Sequence, residues 1–187
     1  MTATFLTQRT SWPESHRGAM AEGMTGIADL APGERVILIS RVVDAPRDLV
    51  FEAFTNPKHL TRFWGPKGFD CTDCKVDLRV GGTFSILMRG PDGNSYPATG
   101  VYQEVTPPEQ IVYSGTANEG HPCGGGLPPR STVTMRFTAE GAKKTRIVIH
   151  SLLQTVADKD AAIAGGFSIG WNDSIDRLAD FLASRAQ

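Results

Sequence analysis

A charge excess of either sign is missing: 19 Lys and Arg face 20 Asp and Glu, a formal net charge of −1 over 187 residues. Such a balance exerts no overall pull on nucleic acid or anionic lipid, so neither is expected as a partner. Long apolar runs are missing too. None approaches the ~20 residues a membrane helix needs, so no membrane partner is expected. Met1 to Leu6 gives way to Gln8, Arg9, Glu14 and Arg17 before a leader-like apolar core can form. Cysteine is scarce, and its odd count of 3 does not make the paired framework of a small secreted domain. A cytoplasmic location is the expectation these absences leave.

What is present suits a globular fold: 40% hydrophobic and 21% charged residues are ordinary values. Residues 1–32, rich in Thr, Ser, Gly and Ala, show no periodicity and read as a flexible N-terminal extension, with Met20 and Met24 as alternative starts. Residues 33–187 read as one domain. Val36 to Val43 is a β-branched run of strand length. Pro46 opens a helix carrying Leu49, Val50, Ala53 and Phe54, and Asn56-Pro57 caps a second helix ending at Gly65-Pro66. Strands are then expected over Cys71–Val80, over the alternating Phe84, Ile86 and Met88, and over Thr99–Val105, Ile111–Gly115, Thr132–Phe137 and Thr145–Leu153. Asn118–Pro129 reads as a long loop. One long helix from about Asp158 to Ser184 closes the chain, with Ile163, Phe167, Trp171, Leu178 and Leu182 on one stripe and Gly165, Gly166 and Gly170 marking a bend or a close approach.

The order β-α-α-β-β-β-β-β-β-α predicts an α+β fold: a curved seven-stranded antiparallel sheet with two short helices and a long C-terminal helix. One helix covers only part of such a sheet. The remainder must be filled by side chains, by the short helices or by a ligand, which points to a cavity.

Several blocks then carry a family resemblance: Val43-Asp44-Ala45-Pro46 with Val50 to Thr55, Phe63-Trp64-Gly65-Pro66-Lys67-Gly68-Phe69, Asp77 to Gly82, Met88 to Gly93, Gly100 to Glu109, and Gly170-Trp171 with Leu178 and Leu182. Together, across about residues 34–184, they resemble homologues of the activator of heat-shock-protein-90 ATPase within the START-like (SRPBCC) superfamily. The resemblance implies a helix-grip fold around a cavity. It implies no single activity, since relatives bind lipids, hormones or polyketides and some catalyse cyclisation. Phe63-Trp64 stands where a tryptophan pair is common in the family, and no counterpart of the eukaryotic co-chaperone's additional domain is expected.

The chemistry-bearing residues have bland readings. Cys71-Thr72-Asp73-Cys74 has the spacing of a metal or redox pair. Positions three apart on a regular strand point to opposite faces, however, so the cysteines are expected to be incidental. His59 reads as solvated beside Lys58 and Arg62, His150 as facing outward opposite Ile147 and Ile149, and His121 as a loop residue. Gly124-Gly125-Gly126 lacks the Lys-Ser/Thr of a phosphate loop. No catalytic residue, metal site or cofactor is expected.

The leading expectation is a small apolar or aromatic molecule bound between the sheet and the C-terminal helix. Trp64, Phe84, Ile86, Met88, Tyr102, Tyr113, Met135, Phe167 and Trp171 would line its site, with Arg89 as a further polar-tipped candidate. A cyclase-like or hydrolase-like enzyme in the same cavity, using Glu104 or His121, is the second expectation. A chaperone-ATPase-activator-like interaction module, with a chaperone partner, is the third. A homodimer is left open.

Overall fold

The computed structural model describes residues 34–115 and 131–185. The N-terminal extension, the Gly-rich loop, His121 and Cys123 lie outside the described residues. Strand β1 (Val36–Val43) leads into α1 (Arg47–Thr55) and α2 (Pro57–Phe63). Strands β2 (Asp70–Val76), β3 (Thr83–Arg89), β4 (Ser95–Thr106), β5 (Gln110–Gly115), β6 (Thr132–Ala139) and β7 (Thr145–Leu152) follow, and α3 (Val156–Ala164) and α4 (Phe167–Arg185) complete the described part. The strands form one seven-stranded sheet in the order β1-β7-β6-β5-β4-β3-β2. Every neighbouring pair is antiparallel. This is the α+β arrangement expected from the element order, and the helix-grip fold that the family resemblance implies. No helix among the described residues is long and apolar enough to cross a membrane.

Period-two alternation decides which face is buried. On the inner face stand Phe84, Ile86 and Met88 of β3, Ile111 and Tyr113 of β5, Val133, Met135 and Phe137 of β6, and Ile147 and Ile149 of β7, all buried. Phe137 meets the rings of Phe51 and Phe54 at 5.6 and 5.5 Å, joining α1 to the sheet. The Asn56 side chain accepts a hydrogen bond from the Lys58 amide, and Pro57 occupies the first turn, so α2 starts where α1 must stop.

The single C-terminal helix of the sequence reading is two helices. Gly166 has φ +86°, a left-handed conformation that breaks the run after α3. Thr155 and Asp158 cap α3 reciprocally. Ile163, expected on the buried stripe, is on α3 and 37% exposed, whereas α4 buries Phe167, Trp171, Ser174, Ile175, Leu178 and Leu182. Strand β2 ends at Val76 rather than Val80, because residues 77–82 turn back through Gly81 at φ +78°.

The register of β2 on β3 runs Cys71↔Met88, then Asp73↔Leu87 and Cys74↔Ile86, with a bulge between Cys71 and Asp73. One extra residue shifts the alternation, so both cysteines share the face of Met88 and Ile86 instead of pointing opposite ways. His150 does lie opposite Ile147 and Ile149 in the alternation, yet it is only 6% exposed. Its Nε2 has no hydrogen-bond partner, and burial lowers its pKa by disfavouring the imidazolium.

Candidate functional site

The segment after α2 is held down by α4. The Gly65 amide donates to Ser174 Oγ at 3.1 Å. Arg177 Nη1 donates to the carbonyl oxygens of Gly65 at 3.1 Å and Phe69 at 3.0 Å, with those of Trp64 and Pro66 at 3.5 and 3.3 Å. Gly65 has φ +106°, and a Cβ there would stand 3.0 Å from Met88 Sδ. This turn delivers Trp64 inward, where its ring meets Trp171 edge-on at 5.2 Å. Gly170 of α4 lies under the same turn, since a Cβ on it would be 3.3 Å from Pro66 Cγ.

Across the fold, β4 and β5 place Tyr102 directly opposite Tyr113. Phe84 packs against both rings, with centroids 5.5 Å from Tyr102 and 5.0 Å from Tyr113. It can do so because Gly100 leaves the neighbouring strand bare: a Cβ there would stand 2.6 Å from the Phe84 ring.

Between these groups lies a cavity of about 20 Å³ lined by Phe54, Leu60, Trp64, Phe84, Ile86, Tyr102, Ile111, Tyr113 and Met135. All of these residues are buried. The volume corresponds to about one water molecule. Six of the expected site residues line it: Trp64, Phe84, Ile86, Tyr102, Tyr113 and Met135. Met88 lies against the Gly65 turn instead; Trp171 meets Trp64, and Phe167 meets Trp171 edge-on with centroids 6.4 Å apart. The cavity roof is therefore α1 and α2 with Trp64, not the C-terminal helix. Phe54, Leu60 and Ile111 were missed as lining. Ile111 carried a usable signal, being two residues from Tyr113 on the same strand face.

The lining carries no charge. Burial raises the phenol pKa of Tyr102 and Tyr113, so both remain protonated far above neutrality. The Tyr113 hydroxyl is shielded from solvent and has no hydrogen-bond partner, as is also true of Trp171 Nε1. Glu104, the acid–base candidate, is exposed on β4 and accepts from Gln110 Nε2 at 2.8 Å, outside the cavity. Arg89 is also exposed. Among the described residues no group of three or more His, Cys, Asp or Glu is placed to hold a metal ion.

The sequence profile described as "Activator of Hsp90 ATPase homolog 1-like protein" matches residues 44–183. No curated protein matches. Among solved structures, a protein from Nitrosomonas europaea is similar, with 25% identity and a TM-score of 0.72 over 83% of this chain and 98% of its own. A protein from Mycobacterium smegmatis has 23% identity and a TM-score of 0.70 over 81% of this chain and 93% of its own. An AHSA1-like protein from Aeromonas hydrophila has 20% identity and a TM-score of 0.58 over 80% and 94%.

Proposed function

The chain belongs to the Activator of Hsp90 ATPase homolog 1-like family, and on that premise we propose that it binds a small, neutral, apolar or aromatic molecule carrying one hydroxyl or carbonyl group. The observation that carries this reading is an apolar, uncharged cavity whose lining includes Tyr113, a residue with a buried hydroxyl that has no hydrogen-bond partner. Leaving such a group unpaired costs about 1–3 kcal/mol, and a ligand oxygen offered to it would recover part of that cost. An uncharged lining disfavours an ionic ligand, because burying an unpaired charge is far more expensive. At about 20 Å³ the cavity is far too small for an aromatic ring. Ligand entry therefore requires α1, α2 and Trp64 to lift from the sheet, a motion for which the turn at Gly65 is the natural pivot.

The test begins with native mass spectrometry of protein from its source, then denaturation and identification of what is released. A recurring neutral apolar compound is the expected result. In parallel, fluorescence titration compares 1-naphthol with naphthalene. Wild type should favour naphthol several-fold, as one hydrogen bond is worth about 0.5–1.5 kcal/mol, and Tyr113→Phe should erase the preference. An empty protein that binds neither probe would overturn the reading.

A second reading, a chaperone-ATPase-activator-like interaction module, is favoured by exposed apolar side chains at the start of the helical end: Val156 and Ile163 on α3 and Ile169 on α4, the last 67% exposed. It predicts that an Hsp90-type ATPase is stimulated by wild type and not by Ile169→Asp. Equal stimulation by both would remove this support.

A further inference from the structure

The bulge in β2 brings Cys71 and Cys74 onto one face of an edge strand, and there Cys71 stands directly opposite Met88 of β3. From this juxtaposition we infer a binding site for a soft monovalent d10 cation, copper(I), held by the two thiolates with the Met88 thioether as a third sulfur donor. Soft sulfur ligands suit copper(I), zinc and iron–sulfur clusters, and of these copper(I) is the one that a low-coordinate set with a thioether fits. Zinc would require four ligands in a tetrahedron, and the described residues offer no third Cys, His, Asp or Glu to these two.

Spacing favours a bridging ion over a direct bond between the sulfurs. The partners Met88 and Ile86 are two residues apart on one strand, hence about 6.7 Å between Cα atoms. A disulfide needs Cβ atoms about 3.5–4.5 Å apart, closer than two such positions on one face present them. A metal ion adds a bond length on each side and spans the gap. The surroundings are equally suitable. Both cysteines are half-buried and pack against the core, so water is kept from one side of a low-coordinate ion.

Burial comes first among the causes that raise the thiols, Cys71 to about 11 and Cys74 to about 12, with Cys71 adding to the shift on Cys74. The Arg177 guanidinium acts on Cys71 in the opposite sense. Binding converts two neutral thiols and one copper(I) into a bis-thiolate complex of net charge −1 and releases two protons. Arg177 is the cation placed to offset that charge.

The experiment titrates the full chain anaerobically with copper(I) in competition with bicinchoninate. One copper(I) per chain is expected. Cys71→Ser and Cys74→Ser should each lower the affinity by roughly 100-fold or more, since even outer-shell changes cost about 10–100-fold. Met88→Leu, which conserves volume, should weaken it to a smaller degree, and Cys123→Ser should leave it unchanged. A readout on wild type alone guards against misfolded variants: bound copper(I) should protect Cys71 and Cys74, but not Cys123, from alkylation mapped by mass spectrometry. No uptake by wild type, unchanged uptake in Cys71→Ser or Cys74→Ser, or loss in Cys123→Ser would overturn the site.

Discussion

Arg177 Nη1 stands 3.0 Å from the carbonyl oxygen of Phe69, more than a hundred residues earlier in the chain, and so ties α4 to the turn that positions Trp64. The same nitrogen also serves Gly65. A hydrogen bond to a charged group is worth about 1.5–3 kcal/mol. Arg177→Met is therefore expected to lower unfolding free energy by about 2–3 kcal/mol in urea titration. Arg177→Lys should recover only part, because the lysine stem is one bond shorter and its ammonium stops short of the position that Nη1 occupies among these carbonyls.

Tyr113→Phe runs against the usual direction of core mutations. It deletes a hydroxyl that is buried without a partner, so the unliganded protein should gain about 1 kcal/mol. Chemical denaturation with matched slopes measures it. A loss of more than about 1 kcal/mol would mean that the hydroxyl is already paired in solution.

Gly100→Ala should be costly despite adding one methyl group. Its Cβ would stand 2.6 Å from Phe84 and 2.7 Å from the Ser114 carbonyl oxygen, and the latter is backbone that cannot swing aside. Overpacking of this kind costs roughly 1–3 kcal/mol, occasionally more. The Phe84 ring should be driven toward Tyr113, which a crystal structure of the variant would show as a smaller cavity.

His150 supplies a pH dependence. Burial holds its native pKa below the ordinary value, so as pH falls through about 6.5 the unfolded chain takes up a proton that the native state still refuses. Stability drops through that window and levels off once the native ring is protonated. His150→Leu should flatten the melting temperature between about pH 7 and the lowered native pKa. A wild-type profile as flat as the variant's would contradict the assignment.

The strands, the two short helices and most of the cavity lining were legible because period-two and 3.6-residue patterns report burial directly. Phe84, Ile86 and Met88 alternate with solvent-facing neighbours, and Tyr113 marks the inner face of β5. The pattern failed where one residue altered the geometry. The bulge at Thr72 leaves no mark in composition, yet it decides whether Cys71 and Cys74 share a face. The helix break was half visible: the glycines signalled a departure, but only a left-handed Gly166 makes it a stop. The roof over the cavity was misplaced for a different reason. A long helix suggests the larger cover, while the contacts that close this cavity come from Phe54, Leu60 and Trp64.

The first strand has one partner, the last: Val36 pairs with Leu152 and Val43 with Thr145. During synthesis, at about 5–20 residues per second, β1 must wait roughly 5–20 s for β7 to emerge. Until then, the β-branched run of β1 is an unprotected edge that other chains or chaperones can engage. The sheet can grow by hairpins from β2 to β6 in the meantime, since each strand from β2 to β6 pairs with its immediate successor. Docking of β1 is thus the step that joins the two ends of the domain, and its loop-closure cost places it late in folding.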